Sequence, residues 1–139
     1  MEKAKHIFNT AIYYFMIVFI SYTMMNKLLA IESFQSNILK TGLFSNILTI
    51  VISYFVIFVE LAIVLFLIFQ KKIGLILLLL MLSTFTIYIT GLNLFNIYEV
   101  CGCGGILNGL QFKYHFIINI LLISFSFILY YTTYVKTAQ

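Results

Sequence analysis

Both cysteines of the chain stand in one pentapeptide, Cys101-Gly102-Cys103-Gly104-Gly105. Two residues of backbone reach at most about 7 Å, and a disulfide needs its Cα atoms about 4.4–6.8 Å apart, so a Cys-x-Cys bridge closes when the chain bends. Glycines between and after the cysteines remove the Cβ clashes that such a bend would cause. A bridge over so short a loop restricts little unfolded-chain entropy, which makes it a poor staple and a better exchanger. Two other readings stand beside this one. The cysteines are small apolar packers, or they join His115 as soft ligands for Cu(I) or zinc, with no further cysteine or loop histidine to complete a tetrahedral set. The charge of Glu99 disfavours a thiolate nearby, whereas Lys113 or a protonated His115 favours one. All three side chains also read as parts of a solvated loop.

Glu60 is the second residue with chemistry in it. It lies in the run FVELAIVLFLI (58–68), where inserting an ionisable side chain into lipid costs at least about 2.5 kcal/mol. Such a group needs a partner, either as a hydrogen bond orienting two helices or as part of proton or ligand handling. Ser83, Thr86, Thr90 and Asn93 recur at helical spacing on one face of the following apolar run and are the expected companions. Lys27 closes the first apolar run. Its stem is expected to snorkel to the surface, the alternative being an ammonium turned inward to a carboxylate or an anionic ligand. Asn119, just beyond the cysteine loop, is placed to bond that loop's backbone.

The elements that position these residues follow from composition. Of 139 residues, 63% are hydrophobic and 9% charged, against about 25% charged in soluble domains. The mean hydropathy is +1.12. These values exclude a water-soluble globular domain and a disordered chain, and eight lysines without arginine are too dilute for a nucleic-acid footprint. Crossing a bilayer takes about 20 helical residues. Four apolar runs have that length, at 7–25, 47–69, 73–95 and 116–135, and runs such as ILLLLML (76–82) do not alternate as barrel strands would. The expected fold is an all-α bundle of four transmembrane helices forming one domain, 1–139, in a lipid bilayer, with outer loops at about 26–46 and 96–115. In the first loop Phe34, Ile38 and Leu39 recur at helical spacing, which predicts a short surface helix. Lys3, Lys5, Lys71, Lys72 and Lys136 fall on one side, Lys27, Lys40 and Lys113 on the other. The positive-inside rule therefore puts both termini in the cytoplasm and the cysteine loop on the outer face of a bacterial inner membrane.

A first run ending in MMNKLL (24–29), a second with a mid-span glutamate, a third with FTIYITG (85–91), then CGCGG and a fourth with Asn119 together resemble the MauE/DoxX-like family of small redox-associated membrane proteins over nearly the whole chain. Lys27, Glu60 and the Cys-Gly-Cys triplet match positions recurring in that family. Gly104 stands where its pattern has phenylalanine, and Ile118 where a basic residue often precedes the asparagine. The resemblance implies a four-helix bundle similar in plan to the DsbB and VKOR type, a role beside a periplasmic thioredoxin-like or disulfide-containing protein, and a quinone as lipid-soluble redox partner.

The reading is a membrane thiol-disulfide redox protein working through Cys101 and Cys103, supported by Glu60, Lys27, Glu99, Asn119 and the glycines Gly102, Gly104 and Gly105. Its rivals are a non-catalytic membrane scaffold or anchor subunit and a component of a small-ligand transporter. A chain of this size shows no inverted repeat, so transport would require a homo-oligomer. The topology is testable by a membrane-impermeant thiol probe: reduced Cys101 or Cys103 is expected to label from outside intact spheroplasts, and labelling only after the membrane is opened would overturn the orientation.

Overall fold

The computed structural model describes residues 2–97 and 111–135. Helix α1 (Glu2–Leu29) is followed by α2 (Ile31–Lys40), α3 (Asn46–Phe69), α4 (Lys71–Leu94) and α5 (Phe112–Tyr130), the last continued by a π-helical turn at Tyr131–Val135. Four of these, α1, α3, α4 and α5, are long and apolar enough to cross a membrane. They form a closed ring in which α1 packs on α3, α3 on α4, α4 on α5 and α5 back on α1, while the short α2 lies against α3 and α1. The chain is a multi-pass membrane protein.

Each long helix buries one narrow stripe and gives the rest of its surface to lipid. In α1 the stripe is Tyr13, Met16, Ile20, Thr23 and Lys27, and in α5 it is His115, Asn119, Leu122, Ser126 and Leu129. These spacings of three and four residues are those of a single helix face. The stripes are graded along their length. Toward the α3–α4 turn they are apolar but for Ser126, with Met16, Ile20, Val64, Leu67, Leu75 and Leu78 in one cluster. Toward the opposite end they carry Thr23, Lys27, Thr49, Ser53, Glu60, His115 and Asn119, all buried.

The connections at 30, 41–45 and 70 are short, and specific caps mark the helix ends. Gly42, at φ +70°, follows Thr41 at the end of α2. Its N–H bonds to the Leu39 carbonyl at 3.0 Å, the left-handed glycine stop of a helix. Ser45 caps α3 by accepting from the Leu48 N–H at 3.4 Å. At the end of α4 the left-handed residue is Asn96, at φ 56°. Ile97 N–H reaches the Leu92 carbonyl at 3.0 Å and Asn96 N–H the Asn93 carbonyl at 3.1 Å, which is a Schellman motif.

Several sequence expectations shift. The first span is longer than 7–25, because α1 runs to Leu29 without a break at Asn26-Lys27. The fourth starts at Phe112 instead of 116, so that His115 is a helical core residue and no part of a solvated loop. Lipid-exposed neighbours on the other faces let one polar stripe enter the span, which a hydropathy cut at Lys113 and His115 conceals. Helix α2 forms as expected and buries Phe34 and Ile38, whereas Leu39 is 41% exposed, being one position off that face.

Only Gln70 separates α3 from α4. Tyr13 donates its hydroxyl proton to the Leu67 carbonyl, Lys71 Nζ sits 4.0 Å from the centroid of the Tyr13 ring, and Asn9 donates to Thr132 Oγ1 at 3.2 Å, so all four spans are tied at this end. The turn closes because Gly74 has no side chain: a Cβ there would fall 2.5 Å from Leu67 N and 2.7 Å from Leu67 Cα. Both contacts are with backbone, which has nowhere to move. Gly74→Ala is therefore expected to destabilise the protein by about 1–3 kcal/mol, read as a lower temperature for loss of monodisperse elution. Gly91→Ala, where a Cβ meets nothing within 4 Å, is the matched control and is expected to elute like the parent.

Candidate functional site: a buried ion pair at a membrane cavity

The polar end of the stripes surrounds a cavity of about 690 Å³, within the range of about 300–1,000 Å³ usual for small-molecule sites. Its walls are mainly aliphatic and aromatic. Its polar lining includes Thr23 and Lys27 of α1, Glu60 of α3, Tyr88 of α4 and His115 and Asn119 of α5. Single helix stripes deliver them: Lys27 follows Thr23 by four residues, and Asn119 follows His115 by four.

Lys27 Nζ donates to Glu60 Oε1. Both residues are buried, at 6% and 3% exposure. The ammonium also lies 5.8 Å from the centre of the Phe34 ring of α2, which offers a weak cation–π contact and roofs the pair with the amphipathic helix. The same helix is fixed to α3 by Gln35 Nε2 donating to Ser53 Oγ at 3.1 Å. His115 packs its ring on Phe85, with centroids 5.3 Å apart. Two buried polar atoms facing this region have no hydrogen-bond partner among the described residues, Glu60 Oε2 and Asn119 Nδ2. Along α3, Glu60 is about 21 Å from Asn46 and about 14 Å from Phe69, so the pair sits near the middle of the span.

Of the expected site residues, the structure brings Lys27 and Glu60 together and sets Asn119 on the same cavity. Lys27 turns inward and does not snorkel. The expected companions on α4 do not serve: Thr86 and Thr90 return their hydroxyls to their own helix, donating to the Leu82 and Thr86 carbonyls at 2.7 Å each. A threonine in mid-span satisfies itself in this way, whereas a carboxylate needs a cation. Cys101, Cys103, Glu99, Gly102, Gly104 and Gly105 lie outside the described residues. Sequence reasoning missed His115 as a cavity residue. Its spacing of i, i+4, i+7 with Asn119 and Leu122 was the available signal.

A four-helix membrane bundle with a buried lysine–glutamate pair heading an apolar cavity is the class that fold and site define. Residues 5–132 match the model of the family described as methylamine utilisation protein MauE, and the chain belongs to that family. No curated protein and no solved structure matches it.

Energetics distinguish the pair from helix glue. A buried ion pair is often no more stabilising than apolar residues of equal volume, yet removing one partner strands the other's charge. Lys27→Met is accordingly expected to cost about 3–5 kcal/mol, and the double variant Lys27→Met with Glu60→Leu to recover most of that loss. Thermal unfolding of the purified single and double variants measures both. A double variant as unstable as Lys27→Met would show that the pair does not interact as described.

Proposed function

We propose that this protein is a membrane thiol-disulfide redox protein whose Cys101 and Cys103 exchange electrons with a periplasmic thioredoxin-like or disulfide-containing protein. The observation that carries the reading is the placing of the loop's two ends. Ile97, just after the Schellman stop of α4, and His115, in the first turn of α5, both line the cavity that holds Lys27 and Glu60. The segment bearing CGCGG is thus tethered at both ends to the polar half of the bundle. Membership of the MauE family supports a redox-associated or accessory role in the membrane. The lysine distribution supports cytoplasmic termini and a cysteine loop on the outer face of the inner membrane.

In the exchange, a thiolate of the pair attacks one sulfur of the partner disulfide and expels the other as a thiolate. The second cysteine then attacks the mixed disulfide, which releases the partner as a dithiol and leaves Cys101 and Cys103 bridged. Two electrons have moved from Cys101 and Cys103 to the partner, and the pair is restored by a membrane thiol protein or a reduced quinone. Run backwards, the same steps oxidise the partner and leave the pair as a dithiol, whose electrons pass to a lipid-soluble quinone. Glycines flanking both cysteines permit another backbone to come close. Lys27, Glu60 and Asn119 act as supporting residues, and Glu99 stands two positions before Cys101 in sequence.

Replacing the resolving cysteine alone should trap the mixed disulfide. One of the variants Cys101→Ser and Cys103→Ser is expected to accumulate a reductant-sensitive adduct with an outer-face thioredoxin-fold protein, seen as a band shift on non-reducing gels, and the double variant none. Absence of an adduct from both single variants, with function of the assembly intact, would replace exchange by a scaffold role.

A further inference from the structure

The mouth of the cavity opens sideways. Its rim includes Phe55 and Phe58 of α3 and Leu80 and Thr84 of α4, all exposed on the surface that faces lipid. Leu80 is about 14 Å along α4 from Lys71, at the depth of Glu60 in the neighbouring antiparallel helix. Whatever enters by this route comes from the hydrocarbon layer and is itself apolar over most of its length.

What lies at the far end sets its head group. Glu60 Oε2 is an acceptor without a donor, and Asn119 Nδ2 is a donor without an acceptor, among the described residues. Both residues are 3% exposed, and buried groups of this kind are costly to leave unsatisfied. A hydroxyl answers both, since it donates one hydrogen bond and accepts others. A carboxylate or phosphate brings no proton for Glu60 and sets a second negative charge beside it, while the Lys27 ammonium is already engaged by Glu60 Oε1.

We infer that the cavity binds one membrane-soluble, hydroxyl-headed amphiphile, entering between α3 and α4, with its hydroxyl donating to Glu60 Oε2 and accepting from Asn119 Nδ2. The uncharged head is selected over anionic heads of the same chain length. An aliphatic alcohol-headed lipid and a phenolic ring carry the same chemistry. This binding does not depend on the cysteines.

The test uses the full chain in detergent micelles with two photoreactive probes, a diazirine-bearing hexadecanol and a diazirine-bearing alkyl hydroquinone. At least one is expected to label α3 or α4 saturably, to be displaced by its unlabelled parent and to resist displacement by palmitate. Whichever labels identifies the source of the hydroxyl. Asn119→Leu removes the donor and is expected to weaken binding about tenfold. Ala62→Phe adds bulk to the lining of the cavity while leaving both polar residues in the sequence and is expected to abolish labelling, so it decides the matter alone if Asn119→Leu does not fold. The double variant Cys101→Ser with Cys103→Ser is expected to label like the parent, which separates this inference from the thiol reading. Failure of both probes, displacement by palmitate as effective as by the alcohol, undiminished labelling of Ala62→Phe, or loss of labelling in the double cysteine variant would overturn it.

Discussion

Lys27 and Glu60 are held together in the buried interior of the bundle, and the arrangement of its polar half answers to that constraint. An ammonium and a carboxylate removed from water each lose several kcal/mol of solvation, which their attraction returns only in good geometry. The geometry requires α1 and α3 to meet near mid-span. It requires the lysine stem to run inward from the end of α1, and it requires a cover, which Phe34 of α2 supplies. The tether between Gln35 and Ser53 holds that cover in place.

The opposite half of the bundle works by different means. There the stripes are apolar, and the one-residue turn between α3 and α4 brings helix backbones into contact through Gly74. Tyr13, Lys71, Asn9 and Thr132 tie the spans together at their ends. A tightly closed end and a polar, cavity-bearing end thus divide one small bundle. The cavity belongs to the second, which is where a membrane protein of this size has room for chemistry.

Sequence alone made the four spans legible, since an apolar helix of bilayer length has almost no place to be buried except in lipid, and it singled out Glu60 as a residue that lipid does not tolerate unpaired, while it expected Lys27 to snorkel. It did not pair them. Charges 33 positions apart carry no local signal of contact, and the polar residues spaced along α4 were the nearer candidates by helical periodicity. Thr86 and Thr90 show why that reasoning fails, because a hydroxyl in a helix finds its acceptor four residues back. At α1 and α5 the expected limits fell short: hydropathy stops a span at its first lysine or histidine, whereas these helices carry Lys27 and His115 inward on a buried stripe. The cavity itself had no signature in sequence, being a property of how the stripes diverge.

The function we propose rests on one chemical event, the cycling of Cys101 and Cys103 between dithiol and disulfide in the living cell. The direct measurement is their redox state, fixed by acid quench, read as the mass added by a thiol-alkylating reagent with and without prior reduction, and followed as the external medium is made oxidising or reducing. A mixture of alkylated and protected forms that shifts with the medium is the expected result. Thiols that remain fully alkylated under every condition would contradict it.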